Sequence, residues 1–217
     1  TKVKDANRIL KVAAANNCTL QIGHVERFNA AIHTAIDQLE HPRFIEVHRL
    51  SPYPNRGTDV SVVLDVMIHD LDLILALVDS PISRIEAVGV EVLSPSEDIS
   101  NARLTFESGC VANLTASRIS SEPTRRIRVF QEDSYLSIDY QNQSVDLAKK
   151  TAQGIERIAL PVNKRPPLQD ELASFVESII NKSKPLVTGE DGKAALGLAL
   201  RIERAMRRHK NLTKAHV

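Results

Sequence analysis

The sequence has almost no net charge: 28 Lys and Arg against 27 Asp and Glu leave +1 over 217 residues. That balance lacks the basic excess of a nucleic-acid partner and shows no sign of an anionic membrane surface. Two cysteines, Cys18 and Cys110, form no motif, and no signal peptide or membrane-spanning run occurs, so a reducing cytoplasm is expected. Neither Cys-x-x-Cys nor His-Glu-x-x-His is present, which leaves little for a metal. The eight glycines, at 23, 57, 89, 109, 154, 189, 192 and 197, nowhere space as Gly-x-Gly-x-x-Gly. A phosphate-gripping loop at a helix N-terminus is thereby excluded from this chain. Repeats and low-complexity linkers are also absent. The chain opens Thr-Lys-Val-Lys-Asp without an initiator Met and runs at once into helical pattern, as part of a longer protein would.

What is there is enough for one domain with a real core, or one and a fraction. The chain is organised around Ser61 to Asp79, which contains no Gly or Pro and is apolar on most sides. This pattern predicts a largely buried helix with Ser61 as N-cap, too short and too charged to cross a membrane. Asp65 and His69 are four residues apart and Asp72 three further on, which stacks them on one α-helical stripe, while Asp70 points elsewhere. Ionised groups on a buried helix cost several kcal/mol unless paired or facing a wet cavity. An Asp65 carboxylate one turn from the His69 imidazole would orient it, fix its tautomer and raise its pKa, which suits proton transfer. Two other readings of the stripe stay open, a structural pair and a divalent metal site.

Before this helix, residues 4–16 read as a helix and 18–22 as a short strand, half of an α/β unit. A helix follows from about 29 to 40, ended by His41-Pro42, then a strand at 43–50. Residues 51–59 form a loop that carries Tyr53 and Arg56 towards the His69 helix. From 83 to 160 the period falls to two, in strands near 83–93, 101–106, 110–119, 125–131, 135–140, 144–148 and 155–160. Short turns such as Glu107-Ser-Gly109 imply a mainly antiparallel sheet. Two helices close the chain, one to about Lys182 with an apolar face of Leu172, Phe175, Val176, Ile179 and Ile180, the other from Thr188-Gly-Glu-Asp191 to about His209.

Three motifs in this order, Gly23-His-Val-Glu-Arg-Phe-Asn29, Asp65-x-x-x-His69-Asp70-Leu-Asp72 and Gly189-Glu-Asp-Gly192, resemble the glucose-fructose oxidoreductase / inositol dehydrogenase / MocA family over essentially the whole length. The resemblance implies an α+β fold, an open mainly antiparallel sheet with helices on one face. Residues 1–23 would be the last helix and strand of an N-terminal Rossmann domain, and 24–217 the C-terminal substrate-binding and oligomerisation domain. It further implies an NAD- or NADP-dependent oxidoreductase acting on a sugar, nucleotide sugar or polyol, with Asp65 and His69 as its catalytic pair. His24 and Asn29 match the segment that crosses from the cofactor domain and are the candidate cofactor contacts. Arg27, Tyr53, Arg56, Asp72 and Arg118 are candidate substrate contacts. The stretches 27–29 and 117–140 look most like dehydrogenases of nucleotide-linked amino sugars. The family's glycine loop and Glu-Lys-Pro segment are not in this chain, so the cofactor is expected to bind the longer parent and not these residues alone. A non-catalytic binding or assembly module on the same fold is the alternative. On either reading a homo-oligomer through the open sheet face is expected, with no nucleic acid and no membrane.

Overall fold

In the computed structural model, which describes residues 2–54 and 58–214, strand β1 (Phe44–Leu50) is the pivot. It runs parallel to β4 (Val111–Ser117) on one side and antiparallel to β5 (Thr124–Phe130) on the other. Beyond β4 lie β3 (Ile99–Phe106) and β2 (Ile82–Val90), and beyond β5 lie β6 (Ser134–Asp139), β7 (Ser144–Thr151) and β8 (Gly154–Leu160). The sheet has eight strands in the order β2-β3-β4-β1-β5-β6-β7-β8. All pairs but β1–β4 are antiparallel, so the expected α+β architecture is found. The one parallel pair is not visible in the run of short turns, because it joins strands separated by the His69 helix. Gly109 takes the positive φ of 87° that the β3–β4 turn requires.

Alternation sets which face is dry. On β1, Ile45, Val47 and Arg49 point inwards, and the same face carries Leu114, Ile127 and Val129 on the neighbouring strands and Leu104, Leu136 and Ile138 one strand further out, all at most 1% exposed apart from Arg49 at 7%. Helices α2 (Ala30–Ile36), α3 (Ile68–Leu77) and α5 (Gly189–Lys214) cover this face. Phe44, Phe130 and Tyr135 stack on the opposite face, with ring centroids 5.6 and 4.9 Å apart.

Four details depart from expectation. The central helix is not α-helical throughout: residues Val63–Met67 form a π segment, in which Ile68 N–H bonds the carbonyl of Val63 five residues back. Ser61 does not cap it; its hydroxyl donates to Glu203 on α5 at 2.6 Å. Residues 18–22 form no strand, only a single bridge between Gln21 and Thr188. Helix α1 (Val3–Ala15) has no buried residue, and on α4 (Pro167–Ile180) Leu172, Val176, Ile179 and Ile180 remain 49–72% exposed. Among the described residues no helix is long and apolar enough to cross a membrane.

Candidate active site

The π segment decides which polar groups of the central helix face inwards. One extra residue in the turn re-phases the two halves of the helix. Asp65, inside the π segment, is exposed and its side chain has no hydrogen bond or ion pair among the described residues. The expected Asp65–His69 pairing therefore does not form. Asp70 and Asp72 point inwards instead, 1% and 2% exposed.

The partner of His69 comes from another element. Gly23-His24 leads into a 3-10 turn at Val25–Phe28, with the His24 N–H on the Ile22 carbonyl and the Arg27 N–H on that of His24. This places Nδ1 of His24 3.4 Å from Nδ1 of His69, ring edge to ring face at 84°. His24 is buried, whereas His69 keeps part of its surface open.

Under the two imidazoles lies a charged network. Arg49 donates from Nε and Nη2 to the two oxygens of Asp70, both at 2.9 Å. The Tyr140 hydroxyl donates to Asp70 at 2.7 Å, and the Arg49 guanidinium lies 5.3 Å from the Tyr140 ring centre. Glu26 receives Arg49 at 3.3 Å and Arg125 at 2.9 Å. Asn29 caps α2 through the Ala31 N–H and donates to the Tyr140 carbonyl and to Glu26. Two carboxylates thus meet two guanidiniums, which is how buried charge is tolerated. Burial opposes the Arg49 charge, but Asp70, Tyr140 and Glu26 override it and raise its pKa. Burial, then Asp70, pushes the Tyr140 phenol well up, so it stays a donor.

The imidazoles respond in the other direction. Burial, followed by Arg49, lowers the pKa of His69 against the pull of Asp70 and Glu26. Burial, then His69 and Arg27, lowers His24 to about 4. Both are neutral at pH 7, contrary to the raised His69 value an Asp65 partner would give. Asp72 faces Arg27 at 3.6 Å, its Oδ2 has no hydrogen-bond partner, and burial raises its pKa to about 6.

The other expected contacts divide. Arg27 stays partly open beside Asp72, and Tyr53 is 41% exposed on the segment after β1. Arg56 lies outside the described residues. Arg118 is 0% exposed and cannot reach a ligand. It is tied to Asp98 at 2.9 Å, to the Val60 carbonyl and to the hydroxyls of Ser94 and Ser96, so it staples the 92–98 loop to the end of β4. Asn29 is likewise committed to the scaffold. Glu26, Arg49, Asp70 and Tyr140 were not among the expected site residues. Their signal was phase: Arg49 continues the inward series Ile45, Val47, and Tyr140 the series Leu136, Ile138.

The residues present do not fit the pyrophosphate of a dinucleotide. Gly189 and Gly192, at the N-terminus of α5, serve close packing: a Cβ there would meet Leu10 at 2.5 Å and Ile22 at 2.6 Å. That helix end is already capped by Thr188 and Asp191.

Residues 21–137 match the GFO/IDH/MocA C-terminal domain. The chain is 33% identical over 214 residues to UDP-N-acetylglucosamine 3-dehydrogenase of Acidithiobacillus ferrooxidans, covering 94% of this chain and 67% of that protein. A solved structure of that enzyme superposes with a TM-score of 0.88 over the same shares, at 33% identity. Aldose-aldose oxidoreductase from Caulobacter crescentus, 22% identical, shares the fold at a TM-score of 0.83 over 95% of this chain and 67% of that one. The chain spans about two thirds of the length of these relatives, and it belongs to the GFO/IDH/MocA family of oxidoreductases, whose C-terminal domain it carries.

Proposed function

We propose that this domain binds the sugar and moves the proton in a nicotinamide-dependent dehydrogenase of nucleotide-linked amino sugars, UDP-N-acetylglucosamine being the first candidate. The observation that carries the reading is His69: a neutral, partly open imidazole held at Nδ1 by His24 over a fully paired charge network. A positioned imidazole with part of its ring open suits removal of a hydroxyl proton. Support for the substrate comes from the similarity to the Acidithiobacillus enzyme over nearly the whole chain. A nicotinamide dinucleotide, held by residues other than these, would supply the hydride acceptor when bound. Arg27 and Tyr53 are the described candidates open enough to meet the sugar or its phosphates, with Asp72 buried behind Arg27. The family's Rossmann domain would then precede residue 24, with α1 and the segment after it as its C-terminal end. The exposed Cys18 and buried Cys110, both unpaired, accord with a cytoplasmic protein. The open sheet face, with Phe44, Phe130 and Tyr135 stacked among charged side chains, suits a homo-oligomer.

The test is a thermal-shift series on the longer polypeptide that includes this domain, with nucleotide sugars and each dinucleotide in turn. A specific ligand stabilises by mass action. A rise in melting temperature with UDP-N-acetylglucosamine that exceeds the rise with free UDP supports the reading. No response to any nucleotide sugar at millimolar concentration overturns it.

A further inference from the structure

A carboxylate behind the acid–base imidazole is the expected device, and here Asp65 does not supply it. What stands at Nδ1 of His69 is a second imidazole. Neutral imidazole carries one N–H donor and one lone pair, so an Nδ1-to-Nδ1 contact holds a single proton between the rings. Two arrangements satisfy it. If His24 donates, the proton of His69 sits on Nε2, which then has no lone pair for a hydroxyl proton. If His69 donates, its Nε2 is bare.

We propose that His24 is the positioning residue of His69: its bare Nδ1 accepts the Nδ1 proton of His69 and leaves His69 Nε2 free to exchange a proton with the substrate hydroxyl. The inference rests on the reading of His69 as the acid–base group.

Three observations favour this direction. The backbone of His24 is held on both sides, by Ile22 and by Arg27, so its ring is presented in one place. The ring is buried beside the Arg27 guanidinium, with Asp191 of α5 the opposing charge, and it stays neutral down to about pH 4. A protonated His69 carries hydrogen on both ring nitrogens, so beside a neutral His24 the contact closes only with His24 Nδ1 as the acceptor. Around His69 stand Arg49 of β1, Arg125 of β5, Asp70 of its own helix and Glu26 of the 3-10 turn. These charges are already paired with one another. A neutral acceptor in such company fixes the tautomer without the negative charge that would raise the His69 pKa.

The atoms balance in both directions. In oxidation the O–H bond of the substrate breaks and its proton forms the Nε2–H bond of His69, while the C–H bond of the carbon bearing that hydroxyl gives up a hydride, for which a nicotinamide dinucleotide held elsewhere would be the acceptor. The resulting imidazolium keeps its Nδ1 proton on His24. In reduction the Nε2 proton returns to the oxygen of the new alcohol.

The experiment reads the tautomer directly, by nitrogen-15 correlation spectra of the histidine rings in the 217-residue chain at neutral pH. The expected spectrum has His69 protonated at Nδ1 and bare at Nε2, with His24 in the opposite form. His24→Phe keeps a flat ring and removes the acceptor, and should move the His69 proton to Nε2. His24→Asn retains a carbonyl acceptor and should restore it. In the longer enzyme His24→Phe should lower kcat roughly ten- to a hundredfold, part of what a positioned acid–base group supplies, with far less change in KM. Finding His69 protonated at Nε2 in the wild type overturns the proposal, even if His24→Phe does not fold. An unmoved His69 tautomer in His24→Phe overturns it as well. The tautomer answers without turnover, whereas loss of His69 itself tests the catalytic reading on which it rests.

Discussion

Arg49 and Asp70 meet side by side, Nε to Oδ2 and Nη2 to Oδ1, each at 2.9 Å, directly below the His24–His69 contact. The pair joins β1 to α3 and takes in Tyr140 and Glu26. Removing one member strands the other's charge in the core. Asp70→Ala should cost about 3–5 kcal/mol, the usual range for breaking a buried pair. Urea unfolding of the 217-residue chain measures this. A loss below about 1 kcal/mol, the worth of an exposed pair, would contradict the assignment.

Arg118 offers the companion case, a charge that looks like a ligand contact in sequence and is a staple in structure. Arg118→Met should cost about 3 kcal/mol, the low end of the same range, because Asp98 keeps the N–H groups of Val92, Leu93 and Ser94. Nucleotide-sugar affinity, measured by calorimetry on the longer enzyme well below its melting temperature, should not change. A tenfold weaker Kd would return Arg118 to the binding site.

The two shifted groups at the cleft should titrate against each other. His24 has a folded pKa of about 4 against 6.5 unfolded, so its stability is present above 6.5 and lost as pH falls through 4. Asp72 has a folded pKa of about 6 against 3.8, so its contribution is present below 3.8 and lost as pH rises through 6. The wild type should lose melting temperature as pH falls from 6.5 to 4, and His24→Asn should flatten that loss. Equal acid losses in the two proteins would contradict the buried, neutral state of His24.

Much of the fold could be read from alternation and turns, since period two holds from β2 to β6 and into the first half of β7, whereas β8 is exposed along nearly its whole length. The site could be read only in part. A π turn leaves no mark on a helix whose flanks are all apolar: Val62, Val63 and Met67 are buried under either phase. Regular α spacing therefore sets Asp65 on the stripe of His69 and turns Asp70 away from it, although Asp70 is the centre of the network. Arg49 was legible only as an interruption in a strand, because phase identifies an inward residue without naming its partner. The 18–22 segment failed for another reason. Strand propensity cannot create a neighbour, and Gln21 found one only in the bridge to Thr188.

The open sheet face leads to a prediction of assembly. Phe44, Phe130 and Tyr135 should be buried against a second copy, and sedimentation velocity at high micromolar concentration should show a dimer or larger species. Phe130→Arg should shift that species to monomer without unfolding the chain, because the face carries none of the inward core. A wild-type monomer at that concentration contradicts the assignment.

The central claim is that His69 exchanges the proton, and the pH dependence of turnover with UDP-N-acetylglucosamine tests it most directly. The base must be neutral, so oxidation should fall as pH drops through the His69 pKa, which burial and Arg49 place below the ordinary 6.5. Asp65→Asn should leave this acid limb in place, since Asp65 is exposed and does not face the ring. His69→Ala should lose the limb along with roughly two to four orders of magnitude in kcat, the usual worth of a positioned acid–base group. Near wild-type turnover in His69→Ala with an unchanged acid limb would contradict the account.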